Sequence, residues 1–467
     1  IRIQGLHGEG FDGFDGCCIH RLAGKAAAGS AVGLGNIWRF PYLAAQYGGG
    51  IFLLIYIILA VTFGFSLMVC EIAIGRKTKL SPMGAFRAVD KRFSFVGSLA
   101  TIVPVIILPY YSVIGGWVMK YLTGFATGKG TEMAADEGAF FGNYIGSATE
   151  PVLWFLAFIL LTAMVEFFGV DKGIEKVSKF MMPLLVVFIM FIAGYTIFTM
   201  EGAWDGVLYY ITPDFSKLTL GTFVKTVLAA MGQLFYSMSL AMGIMITYGS
   251  YMKKEINIEK STRQIEIFDT IIAFLAGLMI IPAVFAFSGG SPEKLGQGPG
   301  LMFATLPQVF DKMPGGHVIG ALFFVMVFFA ALTSSISLME TVVSVVCDKL
   351  QISRKKALVW VLVLCLLLGI PSSLGYSAWS SFKIIGLQIL DFFDFISNSI
   401  LMPIVAFFTC VCVGFFAKPK YVIDEAEETA PFKSRALFSL VIKYVAPICI
   451  VLILISSVLN TFGIIKL

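Results

Sequence analysis

The chain carries about eleven stretches of mostly apolar residues, near 26–47, 51–74, 98–123, 152–168, 180–199, 223–251, 265–288, 318–346, 357–374, 383–416 and 437–462. Each is about the twenty residues a helix needs to cross a bilayer's hydrocarbon core. Nothing else in the sequence constrains the fold as tightly, because a segment in lipid must satisfy its backbone polar groups internally, as a helix does. The reading is an all-α polytopic membrane protein. Charged residues make up only 13% of the 467 residues, about half the usual share of a soluble domain. That excludes intrinsic disorder and argues against a water-soluble multidomain enzyme.

Charge placement sets the orientation. Arg76, Lys77, Lys79, Arg87, Lys91 and Arg92 fall in one loop region; Lys172, Lys176 and Lys179, then Lys253, Lys254, Lys260 and Arg263, then Lys349, Arg354, Lys355 and Lys356 fall in alternate ones. The intervening loops carry Glu132, Asp136, Glu137, Glu201, Asp205 and Asp214. The basic set is read as cytoplasmic, with the N-terminus inside and, for eleven spans, the C-terminus outside. The net charge of +5 therefore implies no nucleic acid. Cys70, Cys347, Cys365, Cys410, Cys412 and Cys449 lie in or beside apolar segments, where thiols behave as small hydrophobes. Cys17 and Cys18 are adjacent, so no structural disulfide is expected. No His/Cys cluster has metal-ligand spacing.

Two spans are interrupted, the first by Gly33-Leu34-Gly35-Asn36 and the sixth by the run from Ser237 to Gly243. Broken helices persist at mid-depth only where they line an enclosed cavity. Their spacing of roughly two hundred residues, each opening a set of five spans, is the pattern of an inverted-repeat transporter. Close packing through small residues is the ordinary alternative for either break alone. Arg39, Glu71, Asp269, Glu340 and Asp394 are ionisable groups within or at the ends of spans, which usually mark function; snorkelling from a helix end is the plainer reading. Thr333-Ser334-Ser335 adds hydroxyls that could equally bond back to helix carbonyls. Together with Asn36 and unwound backbone, these groups form an oxygen-rich set suited to a hard cation, sodium being the natural candidate.

Gly29-Ser-Ala-Val-Gly-Leu-Gly-Asn36-Ile-Trp-Arg39-Phe-Pro41, followed by Gly48-Gly49-Gly50, closely resembles the first span of the neurotransmitter:sodium symporter family. Further matches are Glu71-Ile-Ala-Ile-Gly-Arg76, Tyr110-Tyr111, Lys172-Gly-Ile-Glu-Lys176 with Pro183, and Gly232-Gln-Leu-Phe-Tyr-Ser-Met-Ser239. Gly298-Pro-Gly-Leu-Met-Phe-Ala-Thr-Leu-Pro307, Phe329-Ala-Ala-Leu-Thr-Ser-Ser335 and Asp391-Phe-Phe-Asp394 complete the set. The resemblance covers about 26–467 and points to the eleven-span bacterial branch that imports amino acids. It implies a five-plus-five inverted repeat with helices 1 and 6 broken. The first repeat would run over about 26–199, the second over about 223–416, and a final helix over about 437–462.

The family's first sodium site would fall on Ala31, Asn36, Ser237 and Asp269 with the substrate carboxylate, and the second on Gly29, Val32, Ala330, Thr333 and Ser334. The carboxylate would lie against the Leu34 and Gly35 amides and the Tyr111 hydroxyl, where a half-helix N-terminus favours an anion. Ala31, Ile107, Tyr111, Tyr236, Ser239, Met242, Ser334 and Leu338 would surround the substrate. Arg39 with Asp394, supported by Gln233, would form the outer gate, and Asp348 would belong to the inner one. The sequence departs from the family at residues 1–25, an atypical N-terminal segment with Phe14 and Cys17 where a basic residue and a Trp usually stand. Tyr236 replaces a usual Phe.

Chloride-dependent members hold the anion partly through a serine one turn after an asparagine; here those positions match Ala273 and Asp269. The resemblance thus implies sodium-coupled import of a neutral amino acid with a hydrophobic or aromatic side chain by alternating access. Sodium would be the coupling ion, with no cofactor and no chloride requirement, in the plasma membrane. A membrane-embedded enzyme would need a nucleophile–base pair or metal cluster, and a channel a ring of side chains around an open pore.

Overall fold

The computed structural model describes residues 33–134, 138–169, 175–289 and 299–461; the atypical segment 1–25 lies outside them. Among the described residues nine helices are long and apolar enough to span a membrane. They are α2 (Gly50–Thr78), α3 (Lys91–Ala126), α4 (Glu150–Phe167), α5 (Lys176–Thr199), α7 (Ile258–Phe287), α8 (Gly316–Leu350), α9 (Arg354–Leu374), α10 (Ile389–Phe416) and α11 (Arg435–Leu459). The two interrupted spans complete the eleven. The first is α1, described over 35–46; the sixth is α6a (Leu220–Ser237) and α6b (Ile244–Tyr251). The chain between α7 and α8 also forms a helical pair, Leu301–Thr305 and Leu306–Lys312.

Most helices extend a turn or so beyond their apolar runs. The tenth is the exception. It was expected from residue 383, yet α10 begins at Ile389, because Ile385 (φ 50°) and Gly386 (φ 81°) turn left-handed and Ile384 pairs with Leu387 in an isolated bridge.

Packing is reciprocal between the two halves. Helix α1 packs on α7, and α6b packs on α2; α4 packs on α3 and α8, and α9 packs on α8 and α3, with α3 against α8 at the centre. Exchanging each helix for the one five places later maps these contacts onto one another, as two inverted repeats require. Helices α2 and α6b approach through glycine. A Cβ on Gly249 would lie 2.4 Å from the Ile72 carbonyl oxygen, and one on Gly75 only 2.0 Å from that of Ile246. Small residues let membrane helices touch this closely.

Outward faces are apolar stripes at helical spacing, including Leu153, Leu160 and Met164 on α4 and Phe180, Val187, Phe191 and Phe198 on α5, the surface a lipid-facing helix presents. Basic ends converge at one end of the bundle. Arg76 bonds Glu425 at 2.6 Å and the Ile256 carbonyl at 2.6 Å, and Lys77 donates to the Tyr421 carbonyl at 3.0 Å. The six described cysteines are free thiols.

Candidate functional site

The site is built where helix fails. Between α6a and α6b the chain leaves helical geometry, with Ser239 (φ 53°), Ala241 (φ 60°) and Gly243 (φ 73°) in the left-handed region. Such backbone is costly for residues with a Cβ and persists only when its surroundings hold it. Here Glu71, buried on α2, accepts the Ala241 N–H at 2.7 Å, so the span-two carboxylate serves the break itself.

The described start of α1 meets this break directly. Asn36 accepts the Gly33 N–H through Oδ1 at 3.1 Å, and Gln233 of α6a donates to the Gly35 carbonyl at 2.8 Å. Gly35 has no room for a side chain: a Cβ would sit 2.4 Å from the Tyr236 ring.

Beside the two breaks lies a buried oxygen cluster. The Asn36 amide donates to Ser237 Oγ at 3.0 Å and to Asp269 Oδ1 at 2.7 Å. The Ser237 hydroxyl donates to the Asp269 carboxylate at 2.8 and 3.0 Å, and the Tyr56 hydroxyl reaches Asp269 Oδ2 at 3.2 Å. Asn36, Tyr56 and Asp269 are wholly buried, and no cationic side chain pairs with Asp269 among the described residues. One carboxylate with amide and hydroxyl oxygens suits a hard cation. The structure therefore brings together Asn36, Ser237 and Asp269, the described members of the expected first sodium site; Ala31 lies outside the described residues. Tyr56 was missed, since one hydroxyl in an apolar helix gives no signal among sixteen tyrosines.

Of the expected second sodium site, Gly29 and Val32 are likewise outside the described residues. Ala330, Thr333 and Ser334 share one face of α8, the first two of them buried. The Thr333 hydroxyl donates to the Phe329 and Ala330 carbonyls at 3.0 and 3.2 Å, so Thr333 Oγ1 and the Ala330 oxygen stand side by side.

Next to the first cluster lies a small cavity. Every described residue expected around the substrate lines it: Leu34, Gly35, Ile107, Tyr111, Tyr236, Ser239, Met242, Ser334 and Leu338. Gly33, Ser237 and Ile244 join them. The Tyr111 hydroxyl lies 3.4 Å from the Leu34 nitrogen and hydrogen-bonds Ser334. Donors from α1 and α3 thus converge on one end of the cavity, while Ile107, Met242 and Leu338 make the rest apolar.

The expected outer gate differs from its sequence reading. Arg39 and Asp394 form no ion pair within 4 Å. The Arg39 guanidinium lies over the Tyr236 ring, 5.5 Å from its centre, a cation–π position. Asp394 Oδ1 is taken by the Asn398 amide at 2.6 Å and the Tyr110 hydroxyl at 3.2 Å. Gln233 is engaged with Gly35 rather than with either charge. Arg39 instead borders a second cavity of about 520 Å³ between α1, α6a and α11, beside Leu43, Tyr47, Leu228 and Ile453. Adjacent tyrosines of α3 divide the work: Tyr110 holds Asp394 and Tyr111 faces the first cavity. At the opposite end, Asp348 accepts the Ser81 N–H at 2.9 Å, beside the start of the helix Pro82–Val89.

The model of the sodium:neurotransmitter symporter family matches residues 25–130 and 143–464. An uncharacterized sodium-dependent transporter of Bacillus subtilis, YhdH, is 37% identical over 382 residues, covering 81% of this chain and 82% of its own length. Another sodium-dependent transporter, from Haemophilus influenzae, is 33% identical over 448 residues, 92% of this chain and 95% of that one. The crystal structure of MhsT in complex with L-phenylalanine superposes with a TM-score of 0.83 at 36% identity, covering 94% of this chain and 98% of that one.

Proposed function

The chain belongs to the sodium:neurotransmitter symporter family, and from that premise we propose that it imports a neutral, hydrophobic or aromatic amino acid on a sodium gradient. The observation that carries the reading is the meeting of the start of α1 with the break in span six, where the Asn36–Ser237–Asp269 oxygens adjoin the cavity. An amino acid's carboxylate fits the end where the Leu34 amide and Tyr111 hydroxyl converge, and a sodium ion at the oxygen cluster would lie near that same carboxylate. Binding of ion and substrate would then reinforce one another, which is the linkage a symporter needs. The second sodium site is assigned to Ala330, Thr333 and Ser334 with Gly29 and Val32.

The basic ends that converge on Arg76 and Glu425 form the cytoplasmic side in this reading. Arg39 over Tyr236 and Asp394 on Tyr110 stand as two halves of an outer gate that close on one another once the cavity is filled. Asp348, at the other end, belongs to the inner gate. An enzyme or an open channel is disfavoured by the family. MhsT's bound phenylalanine supports an aromatic substrate.

The cavity wall tests the substrate class. Ile107, Met242, Ile244 and Leu338 offer an apolar, adaptable surface, and among the described residues no lining side chain carries a charge. Competition for uptake by phenylalanine, tyrosine, tryptophan and leucine is expected to exceed that by glutamate, lysine or glycine by tenfold or more, about 1.4 kcal/mol. The opposite ranking would mean the pocket is misassigned.

A further inference from the structure

A second buried polar cluster joins α4, α6b, α8 and α9 at the basic end. Arg354, at the start of α9, closes with one terminal nitrogen on both Glu166 of α4 and Glu340 of α8. Its other terminal nitrogen donates to Glu340 Oε1 at 3.1 Å, and the Tyr251 hydroxyl of α6b donates to the same oxygen at 2.5 Å. Both glutamate side chains are wholly buried, while the arginine remains about one-third exposed.

Among the described residues the charges do not balance: two carboxylates face one guanidinium, and the other described charged or titratable neighbours do not make up the difference. Tyr248 bonds Ser337 at 2.8 Å, Cys347 and Asp348 follow on α8, and Lys355 is turned onto the Phe167 ring at 4.7 Å. Glu340 has both oxygens covered by donors, whereas Glu166 Oε2 has no hydrogen-bond partner. Because both carboxylates bond the same guanidinium nitrogen, their oxygens lie side by side. Two buried carboxylates in contact repel unless a proton lies between them.

We propose that Glu166 and Glu340 form a proton-binding site, with one proton carried on Glu166 while α4, α6b, α8 and α9 are packed together. With that proton the cluster is neutral: one carboxylic acid, one carboxylate and one guanidinium. Separation of α6b from α8 would withdraw Tyr251 and admit water. Glu166–COOH then becomes Glu166–COO⁻, its proton passing to cytoplasmic water, and the cluster carries one net negative charge that hydration stabilises. Opening toward the cytoplasm is therefore linked to proton release. The transport consequence rests on the alternating-access reading above; the shared proton does not.

Two measurements on the full chain separate these claims. Infrared difference spectra between the parent and Glu166→Gln should contain a protonated-carboxyl band that the variant lacks at neutral pH, and Glu166→Asp should retain one. Spectra without that band overturn the proton site whether or not the protein transports. In vesicles, sodium-driven phenylalanine uptake should slow several-fold as the cytoplasmic face is acidified from about pH 8 to about pH 5, because acid holds the proton in place. Glu166→Gln, which has no proton to release, should show the parent's slow acid rate at every pH, and Glu166→Asp should restore the slope. A Glu166→Gln variant that folds and keeps the parent's pH profile overturns the link to opening.

Discussion

Replacing both hydroxyls of the second sodium site, as Thr333→Val with Ser334→Ala, should reduce concentrative uptake to background. Valine keeps threonine's shape but lacks its oxygen, and alanine removes a hydroxyl that also meets Tyr111. The single variant Thr333→Val isolates the ion, since Thr333 does not line the substrate cavity. It should raise the sodium concentration needed for half-maximal uptake by tenfold or more, at least about 1.4 kcal/mol of ion binding. The competing account is that Thr333 only bonds back to the Phe329 and Ala330 carbonyls, as hydroxyls in apolar helices commonly do. In that case sodium dependence would stay where it was, and an unchanged curve in both variants removes the second site from the account.

The second large effect concerns chloride. Asp269 sits at the oxygen cluster with donors from Asn36, Ser237 and Tyr56 and, among the described residues, no cationic side chain; Ala273, also buried, lies one turn further along α7. Residues four apart share a helix face, so Asp269 and Ala273 present a carboxylate and a methyl where chloride-dependent relatives present an amide and a hydroxyl. An ionised Asp269 supplies the negative charge beside the sodium, and a chloride ion entering there would meet strong like-charge repulsion in a poorly screened setting. Uptake by the parent should therefore be indifferent to replacing chloride with gluconate. Asp269→Asn with Ala273→Ser should lose most activity in gluconate and regain part of it, several-fold, when chloride returns. A parent that stops without chloride would contradict the assignment, as would a double variant whose remaining activity ignores the anion.

How much of this was legible before the structure depends on whether a feature is local. The breaks at Gly33–Asn36 and Ser237–Gly243 were visible because small and polar residues interrupt long apolar runs, and membrane depth allows few reasons for that. The residues proposed around the substrate came from the family motifs, and those that are described line one cavity. Pairings between distant helices were not legible. Tyr56 on Asp269 spans 213 positions and Glu71 on Ala241 spans 170, and such contacts depend on helix rotations that composition does not encode.

The Arg39–Asp394 pair shows the same limit from the other direction. Both residues were identified, but the arginine stem is long enough to choose between an aromatic face and a carboxylate. Asp394 already had Tyr110 and Asn398 within reach. Glu166 escaped notice altogether because it sits one residue from the end of α4, where a lone acid reads as interfacial. Only the fold places it against Glu340 and Arg354.

Sodium coupling itself is tested most directly by reconstituting the chain in vesicles and following labelled phenylalanine under an imposed inward sodium gradient. The account predicts that phenylalanine accumulates inside well above its outside concentration and leaks back when a sodium ionophore dissipates the gradient. Uptake that only reaches equilibrium, or that proceeds equally with choline or potassium in place of sodium, would contradict it.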